Sequence, residues 1–96
     1  MSPPPRSTTT AHTSVLLVDD HAVVREGYRR LLERTNDITV IGEVGTGEDA
    51  YRLVAELDPA VTVMDLSLPG MGGIEAVRRI VTRDSRARVL VFSMHE

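Results

Sequence analysis

The chain has 96 residues, 42% of them hydrophobic, which is enough for one small domain with a packed core and excludes a large enzyme or a repeat array. Its net charge is −3 and its 11 basic residues, all arginine, are scattered, a pattern that does not favour binding to nucleic acid or an anionic membrane. The absence of cysteine excludes disulfides and thiolate metal sites and is typical of a reducing, cytoplasmic setting.

The first residues combine three consecutive prolines with small polar side chains. This composition lacks the apolar surface needed to offset the entropy that is lost when a chain is ordered. It also lacks the apolar stretch of a signal peptide. We therefore predict a flexible tail over residues 1–13 and a single domain over residues 14–96.

From Ser14 onward, short apolar runs alternate with longer segments of helical period, an order that predicts βα units around a parallel sheet. The predicted strands are 15–18, 38–43, 61–64 and 89–92. Three of these strands are nearly continuous apolar runs, which is typical of strands covered on both faces. The predicted fold class is therefore α/β.

Three amphipathic helices are predicted between the strands. Thr46 is placed to cap the second helix, and Pro59 follows the end of that helix. The residues predicted to face inward are Val24, Tyr28, Leu31 and Leu32 in the first helix, Ala50, Leu53, Val54 and Leu57 in the second, and Ile74, Val77, Ile80 and Val81 in the third.

Polar residues stand directly after three of the predicted strands. Asp19 and Asp20 follow the first strand, Asp65 follows the third and Ser93 follows the fourth. In an open parallel sheet, functional groups collect at the carboxyl ends of the strands, near the point where the strand order reverses. The sequence therefore predicts that three carboxylates and a hydroxyl meet at one edge of the sheet.

Carboxylates packed this closely repel one another unless a hard cation lies between them. Mg²⁺ is the predicted ion, because it takes one or two protein carboxylates and keeps water or phosphate oxygens for its other positions. A single aspartate at a helix cap or strand end needs no function, but capping does not explain three of them at one edge. With a cation present, Asp65 becomes a candidate nucleophile that forms an aspartyl phosphate.

The sequence resembles the receiver domain of two-component response regulators in LLVDDHAVVREGYRRLLE at 16–33, VTVMDLSLPGMGGIEAVRRI at 61–80 and VLVFSMHE at 89–96. The stretches DDH, GEVGTGEDA and SMHE are similar to the NarL/FixJ-type subclass. The resemblance implies a flavodoxin-like (CheY-like), doubly wound parallel sheet with strand order 2-1-3-4. It also implies that these residues form an incomplete receiver, because the family's fifth strand and helix have no counterpart among them.

Carried over to this sequence, the resemblance implies that Asp65 is the phosphorylation site and that Asp19 and Asp20 form the acidic pair of the metal site. The further Mg²⁺ ligands would be Asp65 itself and the backbone carbonyl of Ser67. Ser93 would be the switch hydroxyl that hydrogen-bonds a phosphoryl oxygen.

Three neighbouring residues have supporting roles in this interpretation. The resemblance implies that Pro69 shapes the loop after the phosphorylation site and that Gly73 lets the third helix begin close to it. His21 follows the acidic pair directly, and we interpret it as the start of the first helix and not as a ligand.

The resemblance implies a phosphoacceptor for a sensor histidine kinase, not an enzyme, that forms homo-oligomers and controls transcription through a DNA-binding domain outside these residues. The alternative is a receiver that cannot switch and acts only by dimerising or titrating a kinase. It stays open because the family's fifth-strand lysine has no counterpart, and Arg88 lies at the wrong end of its strand. A phosphatase with an aspartate nucleophile is disfavoured, because such enzymes favour a second aspartate where Ser67 stands.

Overall fold

The computed structural model describes residues 12–92, which form a four-stranded sheet and three helices. Most of the predicted tail and the terminal residues 93–96 lie outside the described residues. The strands are β1 (Thr13–Val18), β2 (Ile38–Val44), β3 (Val61–Asp65) and β4 (Val89–Phe92). The helices are α1 (Ala22–Leu32), α2 (Gly47–Leu57) and α3 (Gly73–Arg83). The strand β1 thus begins at Thr13, the last residue assigned to the tail from sequence.

All four strands are parallel and lie in the order β2-β1-β3-β4, as predicted. The chain passes from β1 to β2 on one side and then returns to add β3 on the other side of β1. The strand order therefore reverses between β1 and β3. The carboxyl ends of these two strands are where a doubly wound sheet usually carries its functional groups.

The main core lies on the sheet face that α2 and α3 cover. It consists of Leu16, Val18, Ala50, Val54, Met64, Leu68, Ala76 and Ile80, all buried. The helix α1 packs against β1 and β2 and contributes no fully buried residue. One face is therefore well packed by two helices, and the other is covered more thinly by one.

The pairing of β1 with β2 contains an irregularity. Val15 pairs with Val40, whereas the next residue, Leu16, pairs with Gly42. Ile41 is thus an extra residue in β2, the arrangement of a β-bulge, which is rare between parallel strands. Gly42 suits the position, because a Cβ atom there would lie only 3.1 Å from Leu16 Cδ1.

Four of the residues predicted to face inward are instead exposed: Leu31, Leu57, Ile74 and Val81. In α3, the buried residues are Gly73, Ala76 and Ile80. The first turn of the helix therefore approaches the sheet through the small residues Gly73 and Ala76, and Ile74 remains 69% exposed. Leu31 is 58% exposed because α1 is the sole helix of residues 12–92 on its face of the sheet.

The predicted cap of α2 is confirmed. The side chain of Thr46 accepts a hydrogen bond from the Asp49 N–H at 3.1 Å. The helix ends at Asp58, whose backbone adopts a left-handed conformation with φ of 48°, and Pro59 follows.

The three helices have 11 residues each, and none in this part of the chain has the length and apolar character of a membrane-spanning helix.

Candidate functional site

The structure brings the three predicted aspartates together. Asp19 follows β1, Asp65 ends β3, and both side chains are fully buried. Asp20 is more open, with 31% of its side chain exposed. One oxygen from each aspartate and one ring nitrogen of His21 all lie within 4.8 Å of one another. The predicted meeting of carboxylates at this sheet edge is thus confirmed.

The two carboxylate oxygens of Asp65 have different surroundings. Oδ1 accepts hydrogen bonds from the Ser67 backbone N–H at 2.9 Å and from the Ser67 hydroxyl at 2.8 Å. Oδ2 is buried and has no hydrogen-bond partner in the part of the chain that the structure describes. The loop thus holds one oxygen by two hydrogen bonds and leaves the other without one.

Asp19 has the same asymmetry. Its Oδ1 accepts the His21 backbone N–H at 2.8 Å, and its Oδ2 is buried with no partner among residues 12–92. A buried polar atom without a partner costs about 1–3 kcal/mol, and more if it is charged. Two such atoms on neighbouring carboxylates fit a bound cation, because it would satisfy both and screen their repulsion.

An arginine that we did not single out from the sequence also reaches the acidic edge. Arg25, on α1, donates from Nη1 to the backbone carbonyl of Asp19 at 2.5 Å and from Nε to Glu43 at 3.2 Å. Arg29 lies 3.4 Å from the same glutamate. The sequence did contain one indication of this contact. Arg25 stands one helical turn after His21 and hence lies at the same end of α1.

His21 does start the first helix, as predicted, since it is the N-cap residue of α1. Its side chain makes no capping hydrogen bond. Instead, Nδ1 lies 3.3 Å from Asp19 Oδ1 and 3.2 Å from Asp20 Oδ1. The imidazole therefore belongs to the acidic cluster, a contact that the sequence interpretation did not include.

The start of α3 is packed directly against the loop that follows Asp65. A Cβ atom at Gly73 would lie 2.5 Å from the Asp65 carbonyl oxygen and 2.6 Å from Leu66 Cα. Real Cβ atoms do not approach backbone this closely, so glycine is required for this contact. Gly72, the N-cap residue before it, has φ of 83° and offers no capping side chain.

The remaining predicted residues occupy different places. Ser93 lies outside the described residues. Ser67 is exposed, and its contribution is the pair of hydrogen bonds to Asp65. Arg88 precedes the first residue of β4, and its carbonyl accepts the Thr62 N–H at 2.9 Å. It therefore lies at the amino end of β4, away from the acidic cluster, as predicted.

Comparison with known proteins agrees with this geometry. Residues 15–96 match the family described as the response regulator receiver domain. The chain belongs to this family. The response regulator UvrY of Escherichia coli K12 is 43% identical over 82 residues, which are 85% of this chain and 38% of UvrY. The nitrate/nitrite response regulator NarL of the same strain is 38% identical over 81 residues, 84% of this chain and 38% of NarL.

The solved structures include a similar receiver. A two-component response regulator of the LuxR family from Aurantimonas sp. SI85-9A1 superposes with a TM-score of 0.84 and 52% identity, covering 88% of this chain and 61% of that one. These likenesses confirm the receiver fold and the NarL-type relationship. The chain spans 38% of the length of NarL and UvrY and covers only their receiver portion.

Proposed function

We propose that this receiver domain accepts a phosphoryl group on Asp65. Phosphorylation and Mg²⁺ binding through acidic residues are general properties of the family. The observation that carries the assignment to Asp65 is the asymmetry of its carboxylate, with Oδ1 held by Ser67 and Oδ2 buried without a partner in the described region.

In the proposed reaction, Oδ2 attacks the phosphorus of the donor and forms a new P–O bond. The bond from phosphorus to the leaving group breaks, and that group departs as imidazole from a phosphohistidine or as carboxylate from an acyl phosphate. The two hydrogen bonds from Ser67 hold Asp65 so that Oδ2 is the oxygen that reacts. Because Asp65 is fully buried, the donor reaches it only when neighbouring side chains move.

Asp19, Asp20, Asp65 and the backbone carbonyl of Ser67 are the proposed residues for holding Mg²⁺. When bound, the ion supplies positive charge that offsets the charge on the transferring phosphoryl oxygens. The buried Oδ2 atom of Asp19, which has no hydrogen-bond partner among residues 12–92, supports this assignment. The proposed switch hydroxyl is Ser93, in the segment outside the described residues.

The proposed phosphoryl donor in the cell is a sensor histidine kinase, and the proposed output is transcriptional control. Family membership and the similarity to NarL and UvrY support both. Any DNA contact would be made by a segment outside the receiver, because the arginines are dispersed and most of those among residues 12–92 are paired with acidic side chains.

Intact-mass analysis after incubation with acetyl phosphate and Mg²⁺ tests the proposal. We expect one added phosphoryl group on the wild type and none on Asp65→Asn. Asp37→Asn, an exposed aspartate on the loop before β2, is the matched control and should be labelled like the wild type. Omitting Mg²⁺ or introducing Asp20→Ala should sharply reduce the label. Labelling of Asp65→Asn at the wild-type level would place the phosphoryl group elsewhere.

A further inference from the structure

The acidic cluster includes a nitrogen donor beside its carboxylates. His21 Nδ1 lies 3.3 Å from Asp19 Oδ1 and 3.2 Å from Asp20 Oδ1, and an oxygen of Asp65 completes the group. Mg²⁺ is a hard ion that takes oxygen ligands, so an imidazole adds little to a magnesium site. The presence of this nitrogen points to a second class of metal ion.

We propose that His21 Nδ1 is a metal ligand that lets this site bind Zn²⁺ more tightly than Mg²⁺. The inference rests on the proposed function, because the same carboxylates serve both ions. Imidazole nitrogen suits Zn²⁺, and zinc sites combine histidine nitrogen with carboxylate oxygen. Asp19, Asp20, His21 and Asp65 together provide the four ligands of a closed zinc site.

His21 Nδ1 and its two carboxylate neighbours have the spacing of adjacent ligands on a small tetrahedral ion. With metal–ligand distances of about 2.0–2.1 Å, two ligands of a tetrahedral site are about 3.3 Å apart. The distances from His21 Nδ1 to the two carboxylate oxygens are close to this value. The partnerless, fully buried Oδ2 atoms of Asp19 and Asp65 are an independent sign that a cation belongs here.

The backbone keeps His21 in place without using its ring. The His21 N–H donates to Asp19 Oδ1 at 2.8 Å, and its carbonyl accepts the Arg25 N–H at 2.8 Å. The side chain is 58% exposed, and its Nδ1 already faces the carboxylates. Ligation through Nδ1 requires the ring proton to reside on Nε2. His21 can therefore turn its lone pair toward the carboxylates with little rearrangement.

A zinc ion with four protein ligands has no open position for a phosphoryl oxygen. Zn²⁺ would therefore compete with Mg²⁺ and suppress phosphorylation of Asp65. The state of the receiver would then depend on the availability of a transition metal as well as on its kinase.

Isothermal titration of the full chain with Zn²⁺ and with Mg²⁺ tests the proposed ligand. His21→Asn removes the imidazole but retains a residue that is favourable at a helix N-cap. We expect its Zn²⁺ affinity to fall at least tenfold, a larger change than for Mg²⁺. His12→Asn is the matched control, because His12 lies at the opposite end of β1 beside Thr39, and its Zn²⁺ affinity should equal that of the wild type. Circular dichroism checks that both variants fold.

Proton–nitrogen NMR of the histidine rings gives a second readout on the wild type alone. Adding Zn²⁺ should shift Nδ1 of His21 and leave the ring nitrogens of His12 unchanged. Equal Zn²⁺ affinity in the wild type and His21→Asn, or an unshifted His21 ring, would overturn the inference. If the wild type still accepts phosphate on Asp65 in that case, the proposed function stands without the zinc ligand. Loss of the label would instead count against the proposed function itself.

Discussion

Asp65 and Asp19 are each held through one oxygen and leave the other buried without a partner in the described part of the chain. At the scale of single residues, this arrangement favours ligand binding at the expense of stability. Two buried carboxylates this close repel each other, and among residues 12–92 no basic side chain donates a hydrogen bond to either Oδ2 atom. The cost of holding them together is recovered when a cation binds.

This cost leads to a prediction about stability. Without divalent ions, Asp65→Asn should raise the free energy of unfolding by about 1 kcal/mol, because it removes one of two repelling charges and supplies an N–H near the Asp19 carboxylate. Adding Mg²⁺ should stabilise the wild type and not the variant. Urea denaturation with and without Mg²⁺ measures both effects.

Asp37→Asn is the control for the removal of a negative charge at an exposed position, and it should change stability by less than about 0.5 kcal/mol. A loss of stability in Asp65→Asn without divalent ions would show that the hydrogen bonds of the Asp65 carboxylate outweigh its repulsion by Asp19.

At the scale of the elements, α3 requires a glycine at position 73, whereas α1 does not require the glycine at position 27. Gly73→Ala should destabilise the domain by about 3 kcal/mol, because the new Cβ atom meets the Asp65 carbonyl and Leu66 Cα. Gly27→Ala should instead stabilise it by about 0.5–1 kcal/mol, since Gly27 lies inside α1 with no atom within 4 Å of the added methyl. Thermal and urea unfolding of the two variants give the comparison, and equal effects would contradict the close approach of α3.

The exposed face of α3 provides a prediction about pH. The hydrogen bond from Arg79 at 2.8 Å, aided by the charge of Arg78, lowers the pKa of Glu75. A lowered pKa in the folded state contributes stability above the unfolded pKa, and this contribution disappears as the pH falls through the folded pKa. Arg79→Gln should therefore raise the pKa of Glu75 toward its ordinary value and reduce the loss of stability in acid.

NMR titration of the Glu75 carboxyl measures this effect directly. Arg78→Gln is the matched variant and should move the pKa of Glu75 less, because its influence is mainly the charge and not the principal hydrogen bond. If Arg78→Gln moved the pKa of Glu75 more than Arg79→Gln, Arg78 and not Arg79 would be the main cause of the lowered pKa.

Sequence reasoning predicted the elements and the meeting of Asp19 with Asp65, because strand ends and strand order follow from apolar runs and chain direction. It misplaced Ile74, because the depth at which a helix packs depends on the small residues Gly73 and Ala76 and not on hydrophobicity alone. It also did not predict that the His21 imidazole and the Arg25 guanidinium lie near the acidic cluster. The direction of the His21 ring and the reach of Arg25 depend on side-chain torsions, which periodicity does not describe.

At the scale of the whole molecule, the face under α1 is incompletely covered. A groove of about 330 Å³ there is lined by Tyr28, Leu31, Leu32, Val63, Leu90, Val91 and Phe92. Leu90 is 62% exposed, and β4 has a neighbouring strand on one side only within residues 12–92. An open strand edge beside exposed apolar side chains is prone to association.

We therefore predict that the 96-residue polypeptide self-associates through this face. Sedimentation velocity should show a larger species as the protein concentration rises, and Leu90→Lys should shift it toward the monomer. Ile74→Lys is the matched control, because Ile74 is 69% exposed but lies on α3. An equal response of the two variants would mean that general hydrophobicity, and not the α1 face, drives association.

The extra residue in β2 determines the side of the sheet on which a charge appears. Because of Ile41, Glu43 pairs with Leu17 and lies on the α1 side, where it meets Arg25 and Arg29. In a regular ladder it would pair with Val18 and place its carboxylate among the buried apolar residues under α2 and α3. Arg25 would then lose its anchor, and the Asp19 carbonyl would lose the guanidinium that Glu43 holds in place. The extra residue in β2 thus changes which face of the sheet the Glu43 side chain occupies. Through Arg25, that change affects the electrostatics of the acidic edge.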